Sequence, residues 1–305
     1  MSSGERSMYK VAYVMGTSHC GSTMLAFLLN SHPEIVSVGE ASPSLKRNHD
    51  RHLLPCSCGS PLGECSFWTE VYRRVSEQGV EFTPLNWAMI YCSNKLIRDV
   101  LYVNRANPVV ESIRRILLPF HTPHIRKKNY ANLVSIKTIL EMTNSTVFAD
   151  ASKSPNRFEL LNTIPELDVR LIWLIRDPRA FVNSMRRRGL SLEDAAIRWK
   201  KTQIVMQRAY NKISDKKKMI LKYEELCTAP QDKMNSVFRF LEVPEIELPE
   251  NYKSTPHHII GHKTRLDEQT KIYLNEKWKK NLTEEEKNKT MEIVGRLATD
   301  LGYDA

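Results

Sequence analysis

The sequence predicts an α/β fold on a mostly parallel sheet, and three observations carry that reading. A largely β-branched and apolar run over residues 9–15 breaks at Gly16 and leads into an almost wholly apolar segment, residues 22–29. Residues 169–175 (VRLIWLI) and 219–222 (MILK) repeat the strand pattern, and turn or helix-start residues follow each. Strands alternating with helices form parallel sheets, whose ligands bind at the strands' carboxyl ends.

Residues 9–15 read as a buried strand ended by glycine, and residues 22–29, apolar on nearly every side, as a helix packed inside the molecule. Residues 41–145 hold few strand signals and many polar and helical stretches. They read as a mostly helical cap inserted beside the sheet of a single domain spanning 1–305, since no repeat, low-complexity tract or Gly/Pro linker divides the chain. Residues 146–149 are a weaker strand candidate. Asp177 suits an N-cap and Pro178 the first helical position, predicting a helix from there to Gly189. Ser191 with Asp194 resembles a capping box, and Ala195, Trp199, Thr202, Met206, Tyr210 and Ile213 follow at helical spacing.

Composition narrows the classes of function. The 305 residues are 41% hydrophobic and 26% charged, which is ordinary for a globular protein. The first ten residues carry no apolar signal core, and no run reaches the roughly 18 apolar residues of a spanning helix. The expectation is a cytoplasmic protein with no membrane association. With 45 Lys+Arg against 35 Asp+Glu, the formal charge of +10 fits nucleic acid, an anionic surface or a small anionic ligand. Three basic runs, at 126–128, 186–188 and 216–218, are separated and lack interleaved aromatics; they read as solvated faces, with no nucleic-acid partner expected.

Anion-binding chemistry concentrates at Gly16-Thr17-Ser18-His19-Cys20-Gly21-Ser22-Thr23. The spacing is that of a phosphate-cradling loop between strand and helix, where backbone N–H groups and a helix N-terminus converge on an anion. Against the pattern G-x-x-x-x-G-K-[ST], Ser22 replaces the lysine that serves the β/γ-phosphates of a nucleoside triphosphate. That change argues against a kinase and keeps the oxyanion cradle. A second constellation pairs Arg176, at a strand end, with Ser184, about two helical turns on. A guanidinium gives forked, permanent donors to phosphate, and a hydroxyl adds a neutral one.

Together and in this order, these elements resemble the sulfotransferases that use 3′-phosphoadenosine 5′-phosphosulfate (PAPS). The resemblance also takes in LLNSHPEIVSVGE (28–40), FADASKSPNR (148–157), LKYEEL (221–226), HIIGHKTR (258–265) and Trp278. It fades in the insertion. It implies a three-layer P-loop NTPase-like fold and in-line transfer of a sulfuryl group to a hydroxyl or amine, with PAPS as co-substrate and no metal. The loop resembles that of bacterial-looking members, and a small-molecule acceptor follows: a natural product, sugar or phenol.

Roles then carry over by position. Ser18, His19, Cys20, Gly21, Ser22 and Thr23 would hold the 5′-phosphate. His19 stands where the family has Lys or Arg, and would stabilise charge on the bridging oxygen or only shape the loop while Lys153 or Arg265 supplies the positive charge. Arg176 and Ser184 would bind the 3′-phosphate, and Tyr223 would lie near the adenine. Gly261, His262, Lys263 and Arg265 resemble the loop that closes over the nucleotide. Glu40 matches the base of tyrosylprotein sulfotransferases, near the end of a second strand. Lys153 would touch the transferred group or pair with Asp150, and His121 and His124 are alternative bases by position. Two other functions remain as alternatives, a P-loop kinase-like phosphotransferase and a non-catalytic polyanion-binding protein.

Six cysteines, at 20, 56, 58, 65, 92 and 227, are too few for a disulfide scaffold. Cys56-x-Cys58-x6-Cys65, with His52 upstream, fits structural zinc, a disulfide or packing cysteines, and spacing alone does not choose.

Overall fold

Alternation of side chains to two buried faces is what makes the central strands so uniformly apolar. In β1 (Tyr9–Gly16), Val11, Tyr13 and Met15 enter one core cluster while Ala12 and Val14 enter the other, all fully buried. The computed structural model describes residues 8–41, 53–80, 107–117, 122–268 and 270–304, with side chains described outside 122–128. The predicted positions His52, Cys92 and His121, and the side chains of His124, Arg126, Lys127 and Lys128, lie outside the described residues.

The sheet has five parallel strands in the order β2-β3-β1-β4-β5. They are β1, β2 (Ile35–Gly39), β3 (Val147–Lys153), β4 (Leu167–Ile175) and β5 (Lys218–Lys222). The α/β reading is thus correct, and the weak strand at 146–149 runs on to Lys153. Helix α1 (Ser22–Asn30) fills one face with apolar residues on almost every side. Between β2 and β3 lie α2 (Ser66–Glu77), α3 (Pro108–Leu117) and α4 (Thr122–Thr143). Helix α4 packs on β2, β3 and α2, and Ile136, Ile139, Trp68, Val71 and Val75 join the sheet's own core. At least this part of the insertion is a layer of the sheet.

Helix α5 (Pro155–Leu161) links β3 to β4. Asp177 caps α6 (Pro178–Arg186), its carboxylate accepting from the Arg179 N–H at 2.7 Å. Ser191 caps α7 (Leu192–Tyr210) by accepting from the Asp194 N–H. The buried stripe of α7 includes Gln203 rather than Thr202, because the Trp173 indole N–H donates to Gln203 Oε1 at 3.1 Å inside the core. After β5 come α8 (Tyr223–Thr228), α9 (Pro230–Leu241), α10 (Lys277–Asn281), α11 (Glu284–Val294) and α12 (Arg296–Asp300). No described helix is long and apolar enough to cross a membrane.

Register sets the site. Gly16 aligns with Leu174, Met15 with Lys153, Gly39 with Asp150, and Ile175 with Lys222. The residues just beyond these pairs, 17–21, 40, 176 and 223, therefore share one edge of the sheet.

Candidate active site

Between β1 and α1 the chain needs two special backbone positions. Gly21 has φ 93°, and a Cβ there would lie 2.5 Å from Tyr223 Cδ2; a Cβ on Gly16 would lie 2.7 Å from the Leu174 carbonyl oxygen. Both positions are closed to side chains. His19 has φ 62° without being glycine, and Lys153 has φ 67°. Strain of this kind in a non-glycine residue is typical of ligand-binding loops. Ser18 is exposed, His19 and Thr23 are half-buried, and Ser22 is buried. The Cys20 thiol is fully buried against Gly16 in the α1 core, and burial raises its pKa.

Arg176 reaches back to this loop. Its guanidinium donates to the His19 carbonyl at 2.8 Å and to the Asn275 carbonyl at 3.0 Å, and lies 4.1 Å over the Tyr223 ring. The Trp199 indole N–H fixes the Arg176 carbonyl at 3.3 Å. Tyr223 is thus sandwiched between Arg176 and Gly21, its hydroxyl meeting the 273–275 backbone. Ser184 is buried on α6 and donates to the Ala180 carbonyl at 3.0 Å; no hydrogen bond joins it to Arg176. Two buried polar atoms in this region, Thr17 Oγ1 and Arg176 Nε, have no partner. Orphans of that kind each cost about 1–3 kcal/mol unless a ligand satisfies them.

Glu40 and Lys153 form an ion pair at 2.5 Å, both side chains mostly buried. Asp150 faces the core and pairs with Arg157 at 2.6 Å, so the Asp150–Lys153 pair, one of the two alternatives for Lys153, does not form. Residues 259–261 lie along the end of β2. The Ile260 N–H donates to the Val38 carbonyl and the Glu40 N–H to the Ile260 carbonyl. Gly261 brings its backbone between Thr23 and Glu40: a Cβ there would be 3.3 Å from Thr23 Oγ1 and 3.7 Å from Glu40 Oε1. Arg265 is buried and donates to the Pro55 and Gly261 carbonyls, while Lys263 is exposed.

Arg176 and Arg188 put positive charge beside the loop. His262 meets the His19 ring edge-on at 5.1 Å. Burial holds the His19 imidazole down at about 4, reinforced by Arg188, His262, Arg176 and Lys153. Burial and Arg188 likewise depress His262. Arg188 is exposed, as expected of the 186–188 run, and its guanidinium also lies 3.5 Å from His262 Nε2. In the same run Arg186 pairs with Glu286, and in the separate run at 216–218 Lys217 pairs with Asp168 and Lys218 with Asp215. A strand–loop–helix cradle with convergent cations is built for an anion with several charges.

Residues 104–247, which include Arg176, Ser184 and Tyr223, match the model described as "Sulfotransferase family". Over that segment, just under half of its length, the chain is similar to the sulfotransferase family. The sulfotransferase domain from the curacin biosynthetic pathway has the same fold at 13% identity and a TM-score of 0.55, over 97% of this chain and 99% of that one. The sulfotransferase domain from the Synechococcus PCC 7002 olefin synthase aligns over 100% of this chain and 98% of its own, with 15% identity and a TM-score of 0.49. No curated protein sequence matches. The family match leaves out the glycine loop, so any role of residues 16–23 rests on their own geometry.

Proposed function

We propose that this protein is a sulfotransferase that uses PAPS and transfers its sulfuryl group to a hydroxyl or amine of a small-molecule acceptor. The observation that carries the reading is the convergence of His19, Lys153, Arg176, Arg188 and His262 on the strained loop after β1. The loop amides and the N-terminus of α1 would hold the 5′-phosphate, with Ser22 and Thr23 hydroxyls beside it. Arg176 and Ser184 would take the 3′-phosphate, and Tyr223 would border the base. Gly261, His262 and Lys263 would cover the nucleotide, with Arg265 shaping that turn through its hold on the Pro55 and Gly261 carbonyls.

For the transfer, Glu40 would accept the acceptor's proton as the new S–O or S–N bond forms. The sulfur–oxygen bond to the phosphate breaks, and the bridging oxygen leaves with the electron pair. Loop N–H groups and His19 would stabilise that oxygen. Lys153 pairs with Glu40 at 2.5 Å. A sulfuryl group entering the site would compete for Lys153 and release the carboxylate as a base.

The test is calorimetric titration with 3′-phosphoadenosine 5′-phosphate (PAP), then an acceptor screen with PAPS. Micromolar PAP binding that Arg176→Ala abolishes supports the reading. Failure of the folded wild type to bind PAP overturns it, and phosphorylation dependent on ATP and Mg²⁺ would turn it into a kinase.

A further inference from the structure

The three cysteines at 56–65 acquire a fourth neighbour from the far end of the chain. Cys56, Cys58, Cys65 and His258 place one ligand atom each within 4.8 Å of all the others. Cys58 Sγ is 3.6 Å from Cys65 Sγ, and His258 Nδ1 is 3.2 Å from Cys65 Sγ and 3.9 Å from Cys56 Sγ. A tetrahedral zinc with sulfur at about 2.3 Å and nitrogen at about 2.0–2.1 Å has edges of roughly 3.5–3.8 Å. The measured separations bracket those edges.

We propose that Cys56, Cys58, Cys65 and His258 form a structural zinc site that fastens the 54–65 segment to the 257–265 segment. Three soft sulfurs and an imidazole, with no carboxylate among them, select zinc over magnesium or calcium. Four protein ligands fill a tetrahedron and leave no position for substrate, which makes the site structural rather than catalytic. Zinc binding displaces the thiol protons of the three cysteines to solvent, leaving thiolate ligands.

Each ligand sits on a supported backbone. The Cys56 N–H donates to the Ser60 carbonyl and the Gly59 N–H to the Cys56 carbonyl, a tight knuckle turned by Gly59 at φ 95°. Cys65 caps α2. The Ser57 hydroxyl accepts from the Ile259 N–H at 2.7 Å, and the Trp68 indole N–H donates to the His258 carbonyl. Phe67 stacks flat on the His258 ring at 4.5 Å, fixing its plane. Arg265, bound to the Pro55 carbonyl, lies next to the cluster and offsets the net charge of −1 that three thiolates leave on a divalent ion. A disulfide between Cys58 and Cys65 would leave Cys56 and His258 unexplained, and all three thiols are free.

The test needs no activity assay. Full-length reduced protein should carry about one zinc per chain by elemental analysis. Its cobalt(II) form should show thiolate-to-cobalt charge transfer and the intense d–d bands of tetrahedral cobalt. Cys58→Ser, at the exposed ligand, should weaken zinc retention against a chelator at least tenfold, and His258→Cys should keep the metal while shifting the cobalt bands. Metal-free protein with no cobalt bands overturns the proposal, as does a Cys58–Cys65 linked peptide in mass spectra of freshly purified protein. Because the readout is the metal, a chain that binds zinc and not PAP would keep this site and lose the functional reading.

Discussion

The Arg176 guanidinium donates to the His19 carbonyl at 2.8 Å, tying the end of β4 to the loop after β1. Its second arm holds the Asn275 carbonyl and its face lies on Tyr223. A lysine is a point charge that cannot make this divergent set of contacts. Arg176→Lys should therefore weaken PAP binding ten- to hundredfold by calorimetry, in line with about 1.5–3 kcal/mol for a hydrogen bond to a charged group. Unchanged affinity in a folded variant would remove Arg176 from donor binding.

His19 makes the site sensitive to pH. Its pKa falls from 6.5 unfolded to about 4 folded, through burial and then the surrounding cations. A depressed histidine gives its full stability above about 6.5 and loses it as pH falls towards 4. His19→Asn, which tolerates the positive φ, should flatten that acid limb in thermal melts across pH 4–7. A bound phosphate reverses the local field and raises the imidazole pKa. PAP binding near pH 6 should take up a proton in the wild type and less in His19→Asn, as read from titrations in two buffers of different ionisation enthalpy.

Glu40 and Lys153 should separate in kinetics. With Glu40 as base, Glu40→Gln should lower kcat by about 10²–10⁴ while PAP affinity changes little. Lys153→Met should instead weaken the donor's hold. A Glu40→Gln enzyme with wild-type kcat would exclude Glu40 from proton transfer.

Local signals made the scaffold legible. Glycine after β1, Asp177-Pro178 before α6 and Ser191 before α7 act within a few residues, so pattern alone reached them. Partners brought together by folding left no such trace. His258, two hundred residues away, joins the cysteines where His52 was the neighbour in sequence. Arg188 is the surface charge its run predicts, and only the folded 261–265 turn reveals that His262 sits beside it. Gln203 took the buried place expected for Thr202 because Trp173, on another element, needed an acceptor.

Asp150 pairs with Arg157 and not with Lys153, one of the two roles open to that lysine, and it supports the sharpest stability prediction. Asp150 and Arg157 have wholly buried side chains 2.6 Å apart. The second carboxylate oxygen accepts from the Ser152 N–H and hydroxyl, and Arg157 also donates to Asn132 Oδ1 at 3.0 Å. The pair thus joins α4 and α5 to β3 just before the chain turns at Lys153. Such a pair adds little net stability over apolar residues, yet removing one member strands the other charge without water, at about 3–5 kcal/mol. Asp150→Asn keeps the shape and the acceptor for Ser152 but removes the carboxylate charge that faces the guanidinium, so urea denaturation should show a loss of that size. Adding Arg157→Gln removes the stranded charge and should restore much of it. A single variant costing under about 1 kcal/mol would mean that solvent or another acid reaches Arg157, contrary to its burial.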